Sequence, residues 1–216
     1  MYLPAHFAEQ RTEVLHALIR DYPLCTLITR LDDRSEANHV PLHLATSGDG
    51  NCVLRGHLAR SNPAWQKHPP TLDVLGIFQG PQAYVSPSWY PTKHEHGKAV
   101  PTWNYVSVHV QGRLQVIDDP NWLRQQLDIL VATHESGADK PWAIEDAPAD
   151  YIEKMLAAIV GIEISVTEML GKWKISQNQP VNNRAGVVNG LQDRGFAGAV
   201  DMAALVASTL PEAKHE

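Results

Sequence analysis

Cysteine is almost missing from this chain: Cys25 and Cys52 are the only two in 216 residues. Two thiols exclude a disulfide scaffold and a zinc knuckle, and their apolar, strand-like surroundings suit buried free thiols. Positive charge is also short. Eighteen Lys and Arg against twenty-four Asp and Glu give a net charge of −6, which excludes a globally basic nucleic-acid binder. No apolar run approaches the roughly 18–20 residues that a membrane-spanning helix needs. Met1 to Phe7 has neither a basic n-region nor an apolar h-region, so no signal peptide is expected and the expected location is the cytoplasm. Neither G-x-G-x-x-G nor G-x-x-x-x-G-K-[ST] occurs, and strands do not alternate with helices as a doubly wound nucleotide fold requires. The hydrolase signatures G-x-S-x-G and H-E-x-x-H are absent too. His94 and His96 make an H-x-H pair with no evident third ligand, so no metal site is expected.

What is present is ordinary for a globular chain, 44% hydrophobic and 19% charged, and its length suits one domain or one domain with a helical extension. The charge is unevenly placed. Leu114 to Met155 holds nine acids and three bases, which accounts for the whole net charge. Asn51 to Leu72 holds Arg55, Arg60 and Lys67 and no acid. A local cationic pocket in an acidic protein suits a small anion better than a long polyanion, although scattered surface bases would give the same count.

Periodicity predicts a strand-rich first half and a helical second half. Residues 8–21 read as a helix stopped by Pro23, with Val14, Leu15, Leu18 and Ile19 at helical spacing. Leu24 to Arg30 reads as a strand. Asn38 to Ala45 follows the polar turn Asp32-Asp33-Arg34-Ser35 and pairs, across Ser47–Asn51, with Cys52 to His57 as a hairpin. Asn62-Pro63 opens a short helix through Lys67. Leu72 to Gln79 and Gln82 to Ser86 are strands around Gly80-Pro81, and Pro87 to Pro101 is a long loop. Thr102 to Ile117 is a strand bent near Gly112. Pro120 to Glu135 and Ala149 to Ile159 are helices, Val160 to Met169 a strand, and two weaker helices lie near 180–192 and 199–209. The expected class is α+β, mainly β: an antiparallel barrel with helical decoration and a helical C-terminal tail.

Three segments carry the chemistry. Arg55-Gly56-His57-Leu58-Ala59-Arg60-Ser61-Asn62-Pro63 sets two guanidiniums and an imidazole beside a helix start, which suits a phosphate; a capped helix with two solvated arginines is the plain alternative. Ser86 to Lys93, continuing to Val100-Pro101-Thr102-Trp103-Asn104-Tyr105, concentrates Trp89, Tyr90, Trp103 and Tyr105 among hydroxyls and an amide. Such rings suit stacking on a planar heteroaromatic or a subunit interface, or they cover a barrel end. In Gly171-Lys172-Trp173-Lys174-Ile175-Ser176-Gln177-Asn178, strand alternation puts the Lys172 and Lys174 ammonium groups on one face, placed for a phosphate or carboxylate. A solvated edge strand is the alternative.

These segments, with the Met1-Tyr2-Leu3-Pro4 start, Phe78-Gln79-Gly80-Pro81-Gln82-Ala83-Tyr84-Val85-Ser86-Pro87-Ser88-Trp89-Tyr90 and Gly161-Ile162-Glu163, resemble the PaiB-type FMN-binding negative transcriptional regulators. The resemblance implies a flavin-binding split barrel over residues 1–196 with a helical tail over 197–216. It also implies a homodimer with FMN at the subunit interface and a negative regulatory role. A looser similarity to pyridoxamine-phosphate-oxidase-like barrels implies that Asn38, His39, Val40 and His43, with Arg55, Gly56, His57, Arg60 and Asn62, line the flavin. That similarity also implies that Trp103 and Asn104 approach from the second subunit. No basic recognition helix stands out, so contact with promoter DNA is direct or runs through a partner or metabolite. The alternative is an FMN-dependent oxidoreductase whose regulatory role is indirect.

Overall fold

The structure, a computed structural model, describes residues 1–31, 34–66 and 71–211. Asp32 and Asp33 of the expected turn, and Lys67 at the expected helix end, lie outside the described residues. The strands are β1 (Ala8–Glu9), β2 (Leu24–Leu31), β3 (Arg34–Pro41), β4 (His43–Thr46), β5 (Cys52–Ala59), β6 (Leu72–Val85), β7 (Thr102–Ile117) and β8 (Ile159–Lys174). The helices are α1 (Thr12–Asp21), α2 (Pro63–Gln66), α3 (Thr92–His96), α4 (Pro120–Glu135), α5 (Ala149–Ala157), α6 (Val181–Arg194) and α7 (Ala197–Ala207). One eight-stranded sheet runs in the order β3-β2-β6-β7-β8-β5-β4, with β1 paired to β8. The class is therefore the expected α+β.

Two compact bodies share the three long strands. The second body comprises residues 19–78 and 109–169. Alternate residues of its strands bury Leu27, Val40, Leu54, Leu58, Phe78, Val110, Ile162 and Ile164, the period-2 pattern of a sheet with one packed face. Close approach of β7 and β8 depends on Gly112, where a Cβ would sit 2.6 Å from the Ser165 carbonyl oxygen. The glycine thus serves strand pairing inside an unbroken β7. Helix α4 starts at Asp119, whose carboxylate accepts from the Asn121 N–H at 2.9 Å, with Pro120 at the first helical position.

The first body comprises residues 1–18, 79–108 and 170–216. Its core holds Phe7, Leu15, Val85, Tyr90, Val106, Val108, Leu191 and Met202. Helix α6 docks on the 3-10 turn Pro87–Trp89 through Gly186 and Gly190. A Cβ at Gly186 would lie 2.0 Å from the Trp89 oxygen, and one at Gly190 would lie 2.3 Å from the Trp89 ring.

Several boundaries differ from expectation, most of them because of pairing partners distant in sequence. Residues 8 and 9 leave the expected helix to pair with Lys172 and Gly171; that pairing also carries β8 past Met169 to Lys174. The expected strand over 38–45 splits at Leu42, so that β3 pairs with β2 while β4 pairs with β5. The hairpin over the Ser47–Asn51 turn is the β4–β5 one, and Arg34 and Ser35 extend β3 rather than turn. Gly80-Pro81 does not divide β6: β2 pairs with β6 over Val74 to Ile77, and Pro81 lies beyond that pairing, where its missing donor costs no bond to β2. The long loop contains α3.

Candidate functional site

Strand alternation divides the sequence-nominated residues of the second body. His43 pairs with Arg55, Arg55 with Glu163 and His57 with Gly161, so His43, Arg55 and His57 share one face. Helix α4 covers it. The Arg55 Nε donates to Glu163 Oε2 at 2.7 Å, and its guanidinium lies 5.7 Å from the centre of the Trp122 ring. Gly161 makes room for that ring, since a Cβ there would meet Trp122 at 2.4 Å. His43 Nδ1 lies 3.3 Å from Gln126 Nε2. Among the described residues, His43 Nε2, His57 Nδ1 and Gln126 Oε1 are buried without a hydrogen-bond partner. Burial pushes both imidazoles below their ordinary pKa, with Arg55 and His134 adding to the effect at His43.

Val40 and Gly56 point the other way, into the core: a Gly56 Cβ would meet Leu42 Cδ2 at 2.6 Å and the Pro41 oxygen at 2.7 Å. Asn38, His39, Arg60 and Asn62 remain accessible. The Asn62 Nδ2 donates to Asn38 Oδ1 at 2.9 Å, and His39 is exposed. The Arg60 guanidinium donates to both Asp118 oxygens, at 2.6 and 2.9 Å, and to the carbonyls of Ala157 and Ile159. That pairing holds the Asp118 carboxyl below its ordinary pKa.

The first body contains a cavity of about 390 Å3, with Tyr90, Thr102, Asn104, Lys174, Ser176 and Asn183 among its walls. The Lys174 Nζ donates to Thr102 Oγ1 and, at 2.8 Å, to the Trp103 carbonyl. Burial lowers its pKa, and the neighbouring Lys172 adds to the shift. The Lys172 Nζ donates to the Tyr2 carbonyl at 3.0 Å and lies 5.6 and 5.3 Å from the Tyr2 and Tyr105 rings. Among the described residues no carboxylate pairs with either lysine. Asn104 is fully buried; its Nδ2 donates to Ser176 Oγ at 2.8 Å, while its Oδ1 has no partner among the described residues. Trp103 is 48% exposed and its indole N–H donates to Gln82.

Sequence reading missed Ser176, Asn183 and Thr92 as wall residues. Ser176 adopts φ +65°, rare for a residue with a side chain, and its carbonyl closes a turn by accepting from the Gln179 N–H at 2.9 Å. Asn183 exchanges hydrogen bonds with Thr92 across 91 residues. The polar run Ser176-Gln177-Asn178 after a strand was the available signal for Ser176; nothing local marks the other two.

A protein-family model described as "Putative FMN-binding domain" matches residues 1–168. The Bacillus subtilis protein "Protease synthase and sporulation protein PAI 2" is 31% identical over 210 residues, covering 97% of this chain and 98% of the relative. An uncharacterized protein of Emericella nidulans is 35% identical, covering 90% of this chain and 92% of the relative. Among solved structures, an FAD and heme binding protein from Mycobacterium smegmatis superposes with a TM-score of 0.57 at 18% identity. It covers 77% of this chain and 73% of its own. The flavocytochrome Anf3 from Azotobacter vinelandii gives 0.56 at 16% identity, covering 77% and 69%. The fold is that of the flavin-binding split barrels.

Proposed function

The chain belongs to the FMN-binding domain family that includes the PAI 2 protein, FMN is its cofactor, and from that premise we propose that it is a PaiB-type negative regulator acting as a flavin-bound homodimer in the cytoplasm. Residues 1–196 form the flavin-binding domain in this reading and 197–216 its helical tail. The observation that carries it is the large apolar residues that the first body exposes. Tyr2, Val100, Trp103 and Phe196 are 84%, 74%, 48% and 51% exposed. A second copy of the chain would cover them, with Trp103 as a flat ring available to a flavin.

The donor set of the second body fits the phosphate and ribityl end of FMN. Asn38, His39 and Asn62 offer polar groups at the surface, and Arg60 offers a guanidinium. The Arg60–Asp118 pair is solvent-exposed, and such pairs hold their partners weakly, so a phosphate can draw Arg60 away. Arg55, under Trp122 and on Glu163, is committed to the fold. We therefore assign Asn38, His39, Arg60 and Asn62 to the phosphate and ribityl end of the cofactor. Val40, His43, Arg55, Gly56 and His57 shape the strands that carry them. Bound FMN supplies one- or two-electron transfer. Repression in this reading runs through a ligand or a partner.

The cavity favours the second reading, an FMN-dependent oxidoreductase whose regulatory effect follows from its chemistry, because a concave site of about 390 Å3 with Lys174 and several neutral polar side chains in its walls suits a small reactant. Promoter DNA binding that weakens steeply with salt, without turnover of reduced nicotinamide, supports the regulator. Flavin reduction and reoxidation without DNA binding supports the enzyme.

A further inference from the structure

The first body carries a continuous aromatic face with one cation set into it. The Arg194 guanidinium stacks 5.4 and 5.1 Å from the centres of the Tyr84 and Trp89 rings. Tyr84 meets Trp103 edge-on at 6.1 Å, and the Trp103 indole N–H donates to Gln82. Gly198 lies against both Gln82 and Phe196, since a Cβ there would sit 3.6 Å from the Gln82 carbonyl oxygen and from the Phe196 ring. Trp103, Arg194 and Phe196 are exposed. Among the described residues no acceptor or carboxylate meets the Arg194 donors. The two rings hold the plane of the guanidinium, and α6, which carries it, is fixed on Trp89 through Gly190. Trp, Tyr and Arg on a rigid support have the composition of a binding hot spot.

A complementary face stands on the second body. Helix α5 buries none of its residues. Its Tyr151 and Met155, one turn apart and therefore neighbours, are 52% and 45% exposed. Asp150 and Glu153 stand on the same helix, within the acidic segment Leu114 to Met155. Among the described residues Asp150 meets only Lys154, at 3.5 Å between exposed side chains, and Glu153 meets no charged or hydrogen-bonding group.

We propose that these two faces are the halves of one contact between copies of this chain. Tyr84, Trp103 and Phe196 of one copy pack on Tyr151 and Met155 of the partner subunit, and Arg194 takes the carboxylates of Asp150 and Glu153 of the partner subunit. The inference rests on the homodimer reading and adds which surfaces meet. Each copy offers one face of each kind, so a two-fold dimer makes the contact twice and leaves neither face over. Pairing either face with its own copy would set Arg194 against Arg194 or acid against acid, which charge complementarity disfavours.

Sedimentation of the purified full chain tests this. Arg194→Glu sets acid against acid in both contacts, and Asp150→Arg with Glu153→Arg sets base against base. Each variant alone should dissociate about 10- to 100-fold more readily than the unmutated dimer. Mixed in equal amounts, the two variants should associate again, because every contact of the mixed dimer then joins opposite charges. Loss of folding in either variant would not give that recovery. Should the double variant unfold, Glu153→Arg alone makes the same test. Variants that both stay dimeric, or that dissociate and do not recover on mixing, would overturn the proposal and leave the dimer reading in place. A monomeric unmutated protein would remove both.

Discussion

Arg55 and Arg60 carry the same charge five residues apart, and their surroundings give them different work. Arg55 lies beneath Trp122 on a half-buried Glu163. Arg55→Ala should strand that carboxylate and cost about 1–3 kcal/mol in a denaturant melt. Arg60→Ala, which also loses the bonds to Asp118 and to the Ala157 and Ile159 carbonyls, should lower the melting temperature of a still-folded protein and lower the FMN retained after dialysis; unchanged flavin content would remove Arg60 from the site. His43 and His57 are held neutral by burial, their folded pKa values lying below the ordinary imidazole value near 6.5. The unfolded chain therefore binds protons first as pH falls, so their stabilising contribution is complete above about pH 6.5 and drains away below it, down to the folded pKa values. Thermal melts between pH 7.5 and 5.5 should show this decline, and His43→Gln with His57→Gln should flatten it. The sequence showed these side chains as one cationic string. It did not show that strand alternation would bury His43, Arg55 and His57 under a helix some seventy residues further on and leave Asn38, Arg60 and Asn62 outside.

At the scale of elements, α6 is positioned by two glycines four residues apart. Gly186→Ala would force a Cβ against the Trp89 backbone, where no flexible atom can yield. Overpacking of this kind costs about 1–3 kcal/mol, and a lower melting temperature should accompany it. An unchanged melt would show that α6 docks otherwise. Periodicity located most elements: β2, β5, β7 and α4 needed only local apolar spacing, turn residues and the Asp119-Pro120 cap. What it missed was set by partners distant in sequence. Ala8 and Glu9 form a strand because Gly171 and Lys172 accept them, and β3 parts from β4 because their partners lie on opposite sides of the sheet. Cys25 is the buried free thiol expected, and burial pushes its pKa up to about 12; Cys52, expected to be buried as well, is only half-buried.

For the whole molecule, the exposed rings of the first body predict self-association. Sedimentation should give a dimer at micromolar concentration, and Trp103→Ser with Phe196→Ser should shift it to monomer. A monomeric unmutated protein would remove the interface and leave the flavin to one chain. The central claim, that this fold carries a flavin, is tested most directly by the visible absorbance of the purified protein and the identity of the chromophore it releases on denaturation. The account predicts a yellow protein that releases FMN at about one per subunit, or takes it up to that level when supplied. A colourless protein that refuses added FMN would contradict it.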